Sequence, residues 1–177
     1  MKALKWIAGI LGALVFVFVI VGMLLPREIT VSRSIEIAAP ADTIFPHVNS
    51  MKATEEWSPW LALDPDNKLT YSGPDAGVGA KLEWASDDPQ VGAGSQEIMV
   101  SMPSEKVQTA LDFGDMGTAT AEFRLEEEAG LTKVTWDLKT DMGAGPMGRW
   151  MGLMMDKWVG ADYEKGLSNL KGLVEGS

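Results

Sequence analysis

Residues 118–175 read TATAEFRLEEEAGLTKVTWDLKTDMGAGPMGRWMGLMMDKWVGADYEKGLSNLKGLVE. Two hydrophobic periods meet inside this stretch, and their junction decides the fold class. In its first half Ala119, Ala121, Phe123 and Leu125 alternate with Thr118, Thr120, Glu122 and Arg124. After the turn Glu128-Ala129-Gly130, Val134, Trp136 and Leu138 alternate with Thr135 and Asp137. A period of two gives each strand one apolar and one polar face, so this half predicts a hairpin covered on one side only. From Pro146, a favoured first-turn residue, the period lengthens. Met147, Met151, Met154, Trp158, Tyr163, Leu167, Leu170 and Val174 recur at steps of mostly three or four, which predicts one amphipathic helix to Glu175. Its five internal glycines (Gly148, Gly152, Gly160, Gly166, Gly172) each cost about 1 kcal/mol relative to alanine. Close approach to a sheet, or a bend, would offset that cost.

Working towards the N-terminus, more strands appear. Ile29, Val31, Ile35 and Ile37 share one face of a strand, with Arg33 as a lone charge on that face. Ala39-Pro40 ends it. Asp42 is placed to cap a short helix reaching Val48 in spite of Pro46, and a second short helix is expected over 51–57. Leu69–Ser72 and Val107–Leu111 then read as strands. So do Val78, Ala80, Leu82 and Trp84, and Ile98, Val100 and Met102, each set on one face. The order is strand, two short helices, about six strands, long helix. That is an α+β chain, an antiparallel meander whose apolar face the terminal helix covers.

The N-terminus carries a different signal. From Ile7 to Leu25 there is no charge, and Pro26 and Arg27 end the run. About 20 apolar residues cross a bilayer. The run exceeds the ~7–15 residues of a signal-peptide core, and no A-x-A cleavage site follows. The expected layout is a short tail (1–6), an uncleaved transmembrane anchor (7–25) and a folded domain (28–175). Lys2 and Lys5 before the anchor nearly balance Arg27 and Arg33 after it. The short N-terminal segment tips the balance to N-inside, with the domain outside the cytoplasm.

Composition narrows the chemistry. The 177 residues carry a formal net charge of -10, which repels phosphate backbones and argues against a nucleic-acid partner. Nor does such a charge favour lying flat on an anionic leaflet. The chain has no cysteine, which excludes disulfides, thiolate catalysis and cysteine-ligated metals. His47 is the single histidine, and no acidic or histidine pair has metal-ligand spacing. No phosphate-binding glycine loop and no nucleophile elbow is present. No metal or cofactor is therefore expected. Only Arg33, His47, Asp137 and Asp156 can be nominated for catalysis.

Several segments taken in order carry a family resemblance. They are Val31-Ser32-Arg33-Ser34-Ile35-Glu36-Ile37 leading to Ala39-Pro40; Trp57-Ser58-Pro59-Trp60; and Tyr71-Ser72-Gly73-Pro74 with Gly77-Val78-Gly79-Ala80. Thr132-Lys133-Val134-Thr135-Trp136 and Gly160-Ala161-Asp162-Tyr163-Glu164-Lys165-Gly166-Leu167 complete the set. Residues 28–175 thereby resemble the START-like, or SRPBCC, superfamily, in its polyketide cyclase/dehydrase-type branch. The resemblance implies a helix-grip fold, in which a curved antiparallel sheet wraps a long C-terminal helix and a cavity between them receives a hydrophobic ligand. Members of this superfamily bind lipids, hormones, secondary metabolites or proteins, and some are enzymes, so the resemblance implies a cavity and no particular reaction.

The candidate lining follows from the apolar faces. Met147, Trp150, Met151, Met154 and Trp158 bring deformable side chains to the start of the helix. Not all of that segment faces inward, because successive helical residues such as Met154 and Met155 stand ~100° apart. Trp84, Met102, Phe123 and Trp136 are expected on the inward strand face. Trp57 and Trp60 suit a plug or a cavity mouth, and Arg33 a partner for a carboxylate, of the protein or of a ligand. The expected function is a membrane-tethered binding or carrier domain for a lipid-like or isoprenoid-like molecule. Two alternatives stay open: a cyclase- or dehydratase-type enzyme on a hydrophobic substrate, and a groove that grips a partner protein.

Overall fold

The computed structural model describes residues 2–61, 63–88 and 91–176. In chain order come α1 (Lys2–Leu24), β1 (Glu28–Ile37), α2 (Ala41–Val48) and a 3-10 turn (Ala53–Glu56). The strands β2 (Lys68–Ser72), β3 (Lys81–Ala85), β4 (Ala93–Met102) and β5 (Lys106–Asp112) follow. A second 3-10 turn (Gly114–Met116) leads to β6 (Thr118–Glu128), β7 (Leu131–Asp141) and α3 (Pro146–Glu175). The seven strands form one antiparallel sheet in the order β1-β7-β6-β5-β4-β3-β2. Short connections pair each strand with the next from β2 to β7, and β1 returns to the free edge of β7. With α3 held against one face, this is the helix-grip architecture.

The period-two pattern works as expected on β6 and β7, where Ala121, Phe123, Val134 and Trp136 are buried. Ile37, Ile44, Ile98, Leu167 and Leu170 are among the fully buried side chains that join β1, α2, β4 and α3 into one core. On β4 the expectation fails. The β4–β5 register shifts between Ile98 and Val100, so Met99 is an extra residue. An inserted residue reverses the facing of every residue beyond it. Ser101 therefore stands opposite the buried Val107, while Met102 stands opposite Lys106 and is exposed. Met102 is accordingly corrected from the inner to the outer face. Val78 is likewise exposed, in the turn before β3.

Asp42 lies in the first turn of α2 but makes no cap; the Ala41 N–H instead donates to Glu127 Oε2 on β6 at 2.8 Å. A side chain from the sheet thus satisfies a helix end that the local sequence leaves open. Four of the five α3 glycines lie against other groups. A Cβ on Gly148 would stand 2.0 Å from the Met142 carbonyl oxygen, and one on Gly152 3.0 Å from Ile29. At Gly160 it would meet Arg33 at 2.1 Å, and at Gly166 it would meet Trp136 at 2.9 Å. Close approach, not a bend, accounts for these four. Gly172 has nothing within 4 Å.

At the other end of the chain, Lys5–Leu24 within α1 is long and apolar enough to cross a membrane. The helix starts at Lys2, so the expected tail is helical from that residue; residue 1 lies outside the described residues.

Candidate functional site

Trp136 sits at the centre of β7, on the face towards α3, and four aromatic rings assemble around it. Tyr163 of α3 stacks on it, with centroids 3.8 Å apart and planes at 12°. Phe123, its cross-strand partner on β6, stacks at 4.7 Å. Trp57 and Trp60 meet it edge-on at 5.4 and 5.7 Å. Trp60 also covers Tyr163 at 5.8 Å. The edge contacts of Trp57 and Trp60 suit the ring quadrupoles, so they add to what the layer's buried area alone supplies. Gly166 permits it, since any larger residue would strike the Trp136 ring.

The polar ends of these rings separate them. Trp57 Nε1 donates to the His47 carbonyl at 3.0 Å, and Trp60 Nε1 donates to Asp162 Oδ2 at 3.2 Å. Trp136 Nε1 is buried and has no hydrogen-bond partner among the described residues. A buried donor without a partner costs about 1–3 kcal/mol. Burial, and secondarily the Asp137 carboxylate, push the Tyr163 phenol well above its ordinary pKa, so it stays neutral. The segment over this layer is tied to α3 by Trp60 to Asp162 and by Asn169 Nδ2, which donates to the Trp57 carbonyl at 3.1 Å.

Arg33 resolves the conflict of a charge on an apolar strand face. It stands opposite Trp136 on β1 and passes beneath α3 at Gly160. Its Nη1 reaches Asp156 Oδ1 at 2.9 Å and its Nε reaches Glu164 Oε1 at 2.7 Å. The two carboxylates flank Gly160, one turn before and one turn after. The hydrogen bond to Asp156, then that to Glu164, pushes the Arg33 pKa up, and the same bond holds Asp156 below the ordinary carboxylate range. The Arg33 guanidinium is thus committed to protein carboxylates.

The remaining candidates lie elsewhere. Trp84 is half-buried at the β3–β4 hairpin, edge-on to Phe113 at 5.9 Å. Met147, Met151, Met154 and Trp158 are 62, 49, 40 and 50% exposed, so α3 turns them away from Trp136. Trp150 belongs to a contact with α1, its ring stacked on Phe18 at 5.3 Å. Asp137 pairs with Arg124 on the opposite face of the sheet, at 2.6 Å. That face also carries an open depression of about 760 Å³, whose rim includes Glu28, Lys81, Glu97 and Lys139. Such a charged surface does not suit an apolar ligand. Tyr163 and Asp162 complete the aromatic site without having stood out as site residues in the sequence. The signal was present in the run Gly160-Ala161-Asp162-Tyr163, where a glycine lets the helix close on the sheet just before an aromatic.

Residues 28–175 match the family model described as polyketide cyclase / dehydrase and lipid transport. The chain belongs to that family. Membership supports a domain that binds hydrophobic ligands, and the match spans every element from β1 to α3. Solved structures similar to this family member include Ara h 8.0201, 14% identical with a TM-score of 0.62 over 85% of this chain and 99% of that one. Ms6760 from Mycobacterium smegmatis is 19% identical (TM-score 0.57, 84% and 92% covered). CalU16 from Micromonospora echinospora is 17% identical (TM-score 0.57, 83% and 74% covered). At these identities the likeness shows the fold alone. No curated protein matches the sequence.

Proposed function

We propose that this protein is a membrane-tethered binder or carrier of a lipid-like or isoprenoid-like molecule, and that its ligand lies against the Trp136 ring between sheet and α3. The observation that carries this reading is the aromatic layer with one unpartnered donor, Trp136 Nε1. Ligand sites of this kind are mostly apolar with a few polar groups that fix orientation. A ligand that slipped beneath the half-buried Trp60 would lie on the Trp136–Tyr163 stack with the Trp60 ring closed over it, and a carbonyl, hydroxyl or ether oxygen on it would satisfy the indole N–H. Phe123 and Trp57 would form the rest of the floor. α1 would keep the domain beside the membrane in which such molecules dissolve. Family membership supports the hydrophobic class of ligand.

The test is native mass spectrometry of the full chain in detergent, followed by organic extraction, for the natural sequence and for Trp136→Ala and Trp60→Ala. The expected result is a single hydrophobic molecule at near-equal stoichiometry in the natural protein, depleted in both variants. Retention of the same molecules by all three would place them around α1 and defeat the reading. Trp60→Ala keeps the test informative if Trp136→Ala fails to fold, because Trp60 is only half-buried. With the ligand known, Trp136→Phe should weaken binding several-fold while keeping the ring.

A further inference from the structure

The exposed methionine stripe of α3 starts next to the contact between α1 and α3, which is built in detail. A Cβ on Gly22 would stand 2.7 Å from Pro146 and from the Trp150 indole nitrogen, so the first turn of α3 sits hard against α1. Trp150 stacks on Phe18 and donates its N–H to the Phe18 carbonyl at 3.1 Å. Arg149 Nη1 donates to the carbonyls of Met23 and Leu25, the latter at 3.2 Å. A cation there satisfies carbonyls that the end of α1 leaves open and complements its dipole. The start of α3 is therefore fixed to the last two turns of α1. Phe18 lies about 9 Å along the helix axis from Leu24, at 1.5 Å per residue.

Met147, Met151, Met154 and Trp158 fall within about 60° of one another around α3 at 3.6 residues per turn. All four are exposed. Past Trp158 the same helix face continues as Asp162, Lys165 and Asn169, so the apolar stripe is confined to the half of α3 that starts at α1.

We infer that the first half of α3 is embedded in the interface of the bilayer that α1 crosses, with Met147, Met151, Met154 and Trp158 as the inserted stripe. This rests on the membrane reading of α1 proposed above. The partner is the lipid surface itself. The stripe starts at Met147, next to the Pro146–Gly22 contact, and the contact with α1 spans about 9 Å of that helix from Phe18 to Leu24, within the 5–10 Å to which an interfacial helix buries its apolar face. Insertion here is apolar and not electrostatic, in keeping with an acidic chain. Asp162, which holds Trp60 over the aromatic layer, stands one turn beyond Trp158 on the same face. The segment carrying Trp60 is then at headgroup level, and a ligand passes between bilayer and site without crossing bulk water.

Since the natural chain has no cysteine, single-cysteine probes are clean. Val15→Cys, Met151→Cys, Met154→Cys and Leu131→Cys each carry a bimane label in the full chain, reconstituted into phosphatidylcholine vesicles. Leu131 is exposed at the β6–β7 turn, at the far end of the sheet from α1. Nitroxide lipids are expected to quench the probes at 15, 151 and 154, and aqueous iodide to quench those three several-fold less than the probe at 131. If the probe at 15 is lipid-quenched while those at 151 and 154 behave like 131, the interfacial helix is overturned and the tether stands. If the probe at 15 is not lipid-quenched, the tether fails and the inference falls with it.

Discussion

The two halves of α3 share a helix and a hydrophobic period, yet meet different surroundings. In the second half Tyr163, Leu167, Leu170 and Val174 are buried against the sheet. In the first half the corresponding stripe, Met147 to Trp158, is exposed, and the residues that approach the sheet are Gly148 and Gly152 with the half-buried Met155 and Val159. The cause lies in one step. Trp158 to Tyr163 is five residues, and five residues turn a helix by about 140° beyond a full circle. Two stripes that follow one another in sequence therefore lie on different sides of the helix. Spacing identifies a stripe; the phase between stripes decides which one a core receives.

The contrast is sharpest in stability. Leu170→Ala, in the fully buried half, is expected to cost about 2–5 kcal/mol, while Met154→Ala in the exposed half should change stability by no more than about 0.5 kcal/mol. Urea unfolding in detergent measures both, and equal losses would erase the distinction. Glycines refine the comparison within the second half. Gly166→Ala drives a methyl group into the Trp136 ring and should cost about 1–3 kcal/mol despite the better helix propensity of alanine. Gly172→Ala meets nothing within 4 Å and should instead stabilise by up to about 1 kcal/mol. If both substitutions stabilised, the close approach at Gly166 would be refuted.

The smallest expected effect is electrostatic. Asp156 titrates below its ordinary range because of Arg33, so its contribution is present above the ordinary carboxylate pKa of about 4 and is lost as pH falls through the lowered folded value. Asp156→Asn should flatten the acid limb of a stability-against-pH curve slightly, since the carboxylate is 69% exposed and well solvated. An unchanged acid limb would mean that the pair contributes nothing measurable.

Much of the fold was legible because period and punctuation agree. The β6–β7 hairpin, the long helix and the lone charge of β1 all read correctly from neighbouring residues. Met102 did not, because a bulge at Met99 is a property of strand pairing and leaves no mark on the alternation of Ile98, Val100 and Met102. The β4 strand also begins earlier than its apolar residues suggest, since Ala93-Gly94-Ser95 pairs in the sheet without a strong strand composition. At the site, Phe123 and Trp136 stand on the expected strand face, and Trp57 and Trp60 meet them from the loop. Tyr163 joins them where Gly160 and Gly166 let α3 close on the sheet. Whether Arg33 faced a ligand or a protein carboxylate was decided by Asp156 and Glu164, both more than 120 positions away in the chain.

The passage of Arg33 beneath Gly160 has a mechanical consequence. Asp156 and Glu164 grip the guanidinium from both sides, so α3 cannot slide along its axis without breaking both ion pairs. Rotation is opposed as well, because any side chain swept into the place of Gly160 meets the arginine. Gly160 lies close to the middle of the 30-residue helix, with arms of about 20 Å on each side at 1.5 Å per residue. The arginine is then a pin near the middle of α3 that sets the helix's position along the sheet.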